Sequence, residues 1–424
     1  MRYKKIKPDL FIKNRKKLSD ILVKSSVFVV FSSDEFIRNG DQFHKFRQNS
    51  DLFYLTGIEQ EKTILCIGNQ HSIEEQLFIL RPNEKMEIWN GHKLTIKEAQ
   101  QISGIKNVKY IDEFESYVDS IIPKLENIYL DNVIASKNNV EYSHKSLRFY
   151  KESLKKYPHL SVHGFEKTLH ILRTIKEPEE IRLIEKACEI THKTFNKILK
   201  IVDPNIKEYE VEAEITYEFN KSGANHAYRP IVASGINACS LHYIENDKVC
   251  NNNDLLLLDF GAEYANYASD CSRTIPVNGK FTKRQLDCYN AVLSVFNEAR
   301  KLFVPGNSIE KINETVNKLM EEEMIKLGLF TADDVKNQDK DFPLYRKYFM
   351  HGTSHFMGLD VHDVGNKTDI LQKGMILTCE PGLYIKEEAI GIRIENDILV
   401  DDVPIDLMAN IPIEAREIEK LMKR

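Results

Sequence analysis

The sequence predicts two successive domains, an α/β domain over residues 1–170 and an α+β domain over residues 171–424. Short apolar strands alternate with helical stretches up to about residue 135, long amphipathic patterns follow over 176–223, and strands dominate after residue 229. A chain of 424 residues is long enough for two or three domains of ordinary size.

Four runs in the first domain have the composition of buried strands, being β-branched or aromatic and bounded by turn residues. These predicted strands are 27–32, 63–68, 76–80 and 127–131. Apolar spacing predicts helices over 97–105 and 114–125. Alternating elements of this length favour an α/β domain with a mainly parallel or mixed sheet.

The second domain opens with a long helix beginning at Pro178, since proline and early acidic residues are typical of helix N-termini. A second helix is predicted to end at Gly223. Further helices are predicted over about 282–302 and 308–327, between strands. This order indicates an antiparallel sheet covered by helices.

Composition excludes several classes of partner. A net charge of −5 gives no reason to expect nucleic acid, and no apolar run approaches the roughly 18 residues that span a membrane. The basic first twenty residues lack the apolar core of a signal peptide and predict the polar face of a first helix. Seven scattered cysteines without a CxxC pair argue against a disulfide framework and favour the cytoplasm.

Asp259 in LLLLDFG and Asp270 in ASDCSR each close a run that is typical of a strand. If these runs form a hairpin with its tip at Tyr264–Ala265, the two carboxylates face each other directly. Opposed residues on antiparallel strands have Cβ atoms about 4.5–5.5 Å apart. The sequence therefore predicts a close acid pair.

A second acid pair repeats this arrangement. Glu380 and Glu395 are symmetric about Glu387–Glu388, so a second hairpin would place them opposite each other. Like charges opposed across a hairpin are destabilising unless they are compensated. Two divalent cations would balance four carboxylates, and such a site holds its ions about 3.5–4 Å apart and polarises a bridging water. Oxygen-rich ligation with one imidazole suits Mn²⁺, and Co²⁺, Zn²⁺ and Fe²⁺ are also compatible.

A histidine cluster accompanies the acids. His351, His355 and His362 lie within twelve residues in a stretch rich in glycine, and His242 lies in the same half of the chain. Such a cluster can supply one metal ligand and several proton-handling groups. The alternative is that these are loop histidines facing solvent.

Arg393 lies two residues before Glu395 and would share its face of a strand. It could hold a metal-ligating carboxylate in place. The alternative is an ordinary surface arginine on an edge strand.

At these residues the chain resembles the proline-directed metallopeptidases of the pita-bread fold, and among them the Xaa-Pro aminopeptidase (aminopeptidase P) family. The order Asp, Asp, His, Glu, Glu matches, and HGTSHFMGLDVHDVG (351–365) is similar to the histidine signature of that family. Met357 stands where a branched aliphatic residue is usual. RQNSDLFYLTG (47–57) and EIWNGHKL (87–94) resemble its amino-terminal domain, so the resemblance covers nearly the whole chain.

The resemblance implies an amino-terminal α/β domain, which controls substrate access and oligomer contacts, and an α+β pita-bread catalytic domain. It implies a set of ligands for two divalent metals, with the second and last bridging: Asp259, Asp270, His355, Glu380 and Glu395. It implies substrate-binding and proton-transfer roles for His242, His351 and His362. Tyr384 and Arg393 match positions next to the ligands.

The implied reaction is hydrolysis of the bond between an amino-terminal residue and a following proline. A metal-bridging hydroxide attacks the carbonyl, Glu380 acts as general base, and the metals with His351 or His362 stabilise the oxyanion. The partners implied are peptides with proline second and further copies of the chain, as a homodimer or homotetramer. Trp89, the only tryptophan, is expected to lie near the mouth of an active site, which could be that of a neighbouring subunit. The alternative is that Trp89 packs in the core.

Other interpretations of the same residues stay open. Prolidase, which cleaves Xaa-Pro dipeptides, shares all five ligands, but Ser354 in HGTSH and the short connection from Asp363 to Gly374 count against it. Methionine aminopeptidase would not bring the long amino-terminal domain. A binding protein or a creatinase-like hydrolase that lost the metals would have replaced one or more ligands.

Overall fold

The structure, a computed structural model, describes residues 2–69, 74–131 and 144–423. The chain divides into two compact units, Lys4–Arg173 and Thr174–Arg424, the second of which also includes the first three residues. No helix in the described ranges has the length and apolar content needed to cross a membrane.

The first unit contains seven helices and eight strands in its described part. The helices are α1 (Pro8–Ile21), α2 (Ser50–Thr56), α3 (Glu84–Asn90), α4 (Ile96–Ser103), α5 (Phe114–Ile121), α6 (Lys145–Lys156) and α7 (Glu166–Thr174). The strands are β1 (Ser26–Phe31), β2 (Ile37–Asn39), β3 (Gln42–Phe43), β4 (Ile64–Gly68), β5 (Gln76–Ile79), β6 (Asn107–Tyr110), β7 (Asn127–Leu130) and β8 (Ser161–Gly164).

A six-stranded mixed sheet forms the centre of this unit, in the order β6-β5-β4-β1-β7-β8. Strand β1 pairs antiparallel with β4 and parallel with β7, and all six of its residues are buried. Phe31 and Phe114 join the apolar core on one side of the sheet. The predicted strands, the predicted helices and the mixed α/β sheet are confirmed.

The second unit contains six helices and eleven strands in its described part. The helices are α8 (Pro178–Ile201), α9 (Glu208–Lys221), α10 (Lys283–Ala299), α11 (Ile309–Lys326), α12 (Ala332–Lys336) and α13 (Ala415–Met422). The strands are β9 (Asn225–His226), β10 (Ile231–Ser234), β11 (Leu255–Asp259), β12 (Ala262–Tyr264), β13 (Tyr267–Ala268), β14 (Ser272–Pro276), β15 (Ile376–Cys379), β16 (Gly382–Ile385), β17 (Ile390–Arg393), β18 (Asn396–Leu399) and β19 (Ile405–Asp406).

Short antiparallel sheets covered by helices make up this unit, as predicted. Their orders are β10-β11-β14, β13-β12-β9, β15-β18-β19 and β16-β17. Helix α8 packs on β12 and β13, and α10 packs on β17. Helix α8 begins at Pro178, where the Glu177 N–H donates to the Glu180 carboxylate at 2.8 Å and closes the first turn.

The first predicted hairpin is present, but its register differs from the prediction. Ala265 and Asn266 occupy the tip with φ of 53° and 66°, the left-handed conformation of a tight hairpin turn. The tip is thereby one residue further along than predicted. As a result Asp259 lies opposite Ser272, and the prediction of a direct pairing between Asp259 and Asp270 was wrong.

The second predicted hairpin has the expected register. Gly382 pairs with Arg393, and Cys379 pairs with Asn396, so both ladders are symmetric about Glu387–Glu388. Glu380 and Glu395 occupy the break between these two ladders. Their side chains are therefore brought to the same place in the sheet.

Candidate metal centre

Each of the four predicted acids lies at the end of a strand or within two residues of one. Asp259 is the last residue of β11, and Asp270 lies between β13 and β14. Glu380 directly follows β15, and Glu395 directly precedes β18. Strand ends are where side chains can turn from the sheet toward a common cavity, and these four converge with His355.

The backbone next to β15 holds His355. Its N–H donates to the Thr378 hydroxyl at 3.1 Å, and the Thr378 N–H donates to the His355 carbonyl at 3.0 Å. Its ring Nδ1 lies 3.1 Å from the Phe356 carbonyl, which can only accept, so Nδ1 carries a proton. Nε2 then faces the acids, 3.3 Å from Asp270 Oδ2 and 3.6 Å from Glu380 Oε1.

Arg393 anchors two of the acids. Its guanidinium forms an ion pair with Asp259, and its Nε donates to the Ser272 hydroxyl at 2.7 Å. The Ser272 hydroxyl in turn donates to Glu395 Oε2 at 2.6 Å. Only 5% of Arg393 is exposed, so the alternative of a surface arginine on an edge strand was wrong.

The sequence did not predict several residues that form hydrogen bonds with the acids from the surrounding structure. The Tyr228 hydroxyl lies 2.6 Å from Asp259 Oδ1 and 2.5 Å from Asp270 Oδ1, and can donate to only one at a time. The Thr378 hydroxyl donates to Glu380 Oε1 at 3.1 Å. Asp397 Oδ2 accepts the Asp270 N–H at 3.1 Å, while its Oδ1 has no partner among the described residues.

Strand alternation was the signal that could have found most of them. Ser272, Thr378 and Asp397 each lie two positions from a predicted ligand, so they share its face of the strand. Tyr228 comes from before β10 and carries no comparable signal.

Burial dominates the electrostatics of the acids. It raises the pKa of Glu380 to about 7, although the charge of His355 opposes the shift. It also raises the pKa of Asp259 and raises the pKa of Glu395 well above its usual range, each opposed by Arg393. Burial acts to lower the pKa of His355, but hydrogen bonding to Asp270 and the nearby acids raise it to about 9.

The acids and His355 are suited to binding divalent metal ions. One donor atom from each of Asp270, His355 and Glu395 can be chosen so that all three lie within 4.8 Å of one another. Four carboxylates surround this point, and Arg393 is the one permanently charged cation contacting them among the described residues. Oxygen ligands with one imidazole are the donor set of a divalent metal.

The remaining predicted histidines lie in the same cavity. His351 Nδ1 lies 2.7 Å from the Gly352 carbonyl, which requires a proton on Nδ1, and Nε2 lies 2.8 Å from the Tyr384 hydroxyl. Arg393 donates to that hydroxyl at 2.9 Å, so Tyr384 donates onward to His351. Burial lowers the pKa of His351 to about 4, in keeping with a neutral ring.

One cavity of about 300 Å³ collects the candidate residues. Nine of the ten predicted site residues line it: His242, Asp259, Asp270, His351, His355, His362, Glu380, Arg393 and Glu395. Tyr384, the tenth, lies behind them in hydrogen-bond contact with His351 and Arg393. Part of the wall is apolar: Ile231, Leu241, Ile244 and Val361. A small cavity with an apolar wall and converging acids suits a short peptide.

Fold and site together define a metal-dependent hydrolase. The profile of metallopeptidase family M24 matches residues 182–402, and that of the aminopeptidase P N-terminal domain matches residues 11–129. The chain belongs to metallopeptidase family M24, and its second unit has the pita-bread fold of that family.

Full-length relatives agree with this assignment. An Xaa-Pro aminopeptidase from Haemophilus influenzae is 36% identical over 434 residues, covering 99% of this chain and 98% of that protein. The structure of Escherichia coli aminopeptidase P with the inhibitor Pro-Leu superposes with a TM-score of 0.89 at 33% identity, covering 99% of both chains. A zinc-substituted form of that enzyme in complex with product matches equally well.

We expect Mn²⁺ to raise the melting temperature of the metal-stripped protein, with a gain that shrinks as the pH falls. The pKa of His355 is raised to about 9 and that of Glu380 to about 7. Protonation of these two groups therefore stabilises the metal-free fold. That stability is lost as the pH rises through these values, whereas metal binding needs both groups deprotonated. Each displaced proton weakens binding by about 1.4 kcal/mol per pH unit.

Thermal unfolding with and without saturating Mn²⁺, from alkaline to mildly acidic pH, measures this gain. Glu380→Gln serves as the control, because it removes the proton that Glu380 would release. A gain that increased as the pH fell would contradict the assignment of these groups as ligands.

Proposed function

We propose that this chain is an Xaa-Pro aminopeptidase, which hydrolyses the bond between an amino-terminal residue and a following proline. The single observation that carries the proposal is the convergence of four strand-end carboxylates and His355 in one cavity. Similarity over the full length to Xaa-Pro aminopeptidases supports the choice of substrate.

Five residues would hold two divalent ions: Asp259, Asp270, His355, Glu380 and Glu395. Mn²⁺ is the proposed metal, with Co²⁺, Zn²⁺ and Fe²⁺ as alternatives. When bound, the ions would activate water and polarise the scissile carbonyl. Arg393 and Tyr228 would hold the acids in ligating positions through their contacts with Asp259.

Glu380 is the proposed general base, which takes a proton from the attacking water and passes it to the leaving proline nitrogen. His362 is the better placed of two histidines to donate to the developing oxyanion, since it makes no hydrogen bond within the described part of the chain. His351 already uses both ring nitrogens, so we assign it to orientation through Tyr384.

His242 lines the cavity next to the apolar wall formed by Leu241 and Ile244. We assign it to substrate binding, where its ring would contact the peptide beside the proline. The wall itself suits the apolar proline ring, because that ring carries no donor or charge.

The alternatives are less well supported. A prolidase is disfavoured by the full-length similarity to aminopeptidases. A methionine aminopeptidase is disfavoured by the match of residues 11–129 to the aminopeptidase P N-terminal domain. A metal-free relative is disfavoured because all five ligand residues are present and converge.

We further propose that residues 1–170 control substrate access and form a homodimer or homotetramer. Trp89 is 86% exposed and Ile88 80% exposed on α3, so neither packs in the core of the first unit. Exposed apolar side chains of this size are typical of interaction sites.

All seven cysteines are free, which fits the cytoplasm as the proposed location. Recovery of the protein outside the cytoplasmic fraction would contradict that location.

We expect the metal-stripped protein resupplied with Mn²⁺ to release the first residue of Arg-Pro-Pro and to act poorly on Xaa-Pro dipeptides. Asp270→Asn should lower kcat/KM by at least about a hundredfold, because it removes the charge of one of the proposed ligands. Initial rates of release measure both, with the exposed Asp333→Asn as the control. Turnover of dipeptides alone would make the chain a prolidase.

We expect Trp89→Ala to weaken self-association and to slow cleavage of long peptides, because Trp89 is proposed to contact a neighbouring subunit near its active site. Sedimentation and peptide-length series measure the two effects. Phe342→Ala, which removes a side chain 75% exposed in the second unit, is the matched control. An unchanged oligomer with unchanged long-peptide turnover would refute this role.

A further inference from the structure

Arg229 lies at the rim of the candidate site and has no charged partner in the part of the chain that the structure describes. Arg229 follows Tyr228, whose hydroxyl reaches the acids, and Arg229 lines the same cavity while remaining exposed. Its Nη2 donates to the Ile244 carbonyl at 3.4 Å, which is a weak contact. Within the described ranges of the chain it forms no ion pair.

The segment that Arg229 contacts is held in place by a buried carboxylate. Glu208, the first residue of α9, is fully buried, and its Oε1 accepts the Ser234 N–H at 2.8 Å. Its Oε2 accepts the Tyr243 hydroxyl at 2.7 Å and the Lys248 N–H at 2.9 Å. Ile244 directly follows Tyr243, so the carbonyl beside Arg229 has a defined position.

Glu245, which follows Ile244 in the chain, forms no ion pair with Arg229. Glu245 accepts the Ile244 N–H at 3.2 Å, which lies on the other side of that residue from the carbonyl. At the inner end of the cavity, Asp270 and Glu395 are buried and are balanced by the proposed metal ions. The rim therefore presents a guanidinium that pairs with no carboxylate in the described part of the chain.

The orientation of the bound peptide determines which of its side chains lies near Arg229. The scissile bond must reach the buried acids, so the residues that follow the proline extend toward the opening. Arg229 is exposed at that opening, whereas Asp270 and Glu395 are only 5% and 2% exposed. A side chain just after the proline would thus be directed toward the exposed side of the cavity, which Arg229 lines.

We infer that Arg229 is a specificity-determining residue that favours peptides with an acidic side chain at the third position. The inference rests on the proposed function and adds a substrate preference to it. Guanidinium and carboxylate form a bidentate pair, and a partly exposed pair of this kind contributes about 1 kcal/mol, or roughly a fivefold preference.

Three amidated peptides test the preference without a terminal carboxylate: Ala-Pro-Glu, Ala-Pro-Gln and Ala-Pro-Lys. The quantity measured is the ratio of kcat/KM for the glutamate and glutamine peptides in each protein with Mn²⁺. The wild type should prefer the glutamate peptide by about fivefold, and Arg229→Lys, which keeps the charge but not the bidentate geometry, should keep a smaller preference of the same sign. Arg229→Gln should bring the ratio close to one, and Arg229→Glu should reverse it and favour the lysine peptide.

A matched control is Arg182→Glu, which reverses the charge of an exposed arginine on α8 that pairs with Glu179. It should keep the wild-type ratio. Arg229→Glu with an unchanged ratio, or a wild type that cleaves all three peptides equally, would overturn the inference. A wild type that cleaves none of them with any divalent metal would instead contradict the proposed function.

Discussion

The convergence of four largely buried carboxylates in one cavity is the constraint on which the rest of this unit depends. Like charges this close repel each other, and burial removes the water that would otherwise screen them. The raised pKa values of Asp259, Glu380 and Glu395 express that cost, with burial as the largest cause. The fold therefore needs other contacts that hold the four acids in place. It also needs cations that bind to them and balance their charge.

The contacts are supplied by the strands that carry the acids. Arg273, fully buried, donates to the Ser272 and Glu395 carbonyls at 2.9 and 2.7 Å and so ties the two hairpins together. Arg393 connects the acids on those hairpins through Ser272 and Asp259. Removing either arginine would therefore disturb acids on both hairpins at once.

Much of this arrangement could be predicted from the sequence because it is periodic. The acid pair Glu380 and Glu395 follows from the symmetry of one hairpin, and the buried strands follow from their composition. The first hairpin was misplaced by one residue at its tip, because turn geometry at Ala265 and Asn266, and not the acid spacing, sets the register. Tyr228 could not be predicted, since it reaches the acids from a segment with no local pattern.

The proposed chemistry depends on whether cations occupy this cluster, and their positions can be measured directly. Crystals grown with Mn²⁺ should show two anomalous-scattering peaks about 3.5–4 Å apart. We expect Asp270 and Glu395 to contact both peaks, and Asp259, His355 and Glu380 to contact one each. A single peak, or peaks away from these five side chains, would contradict the two-metal account of the site.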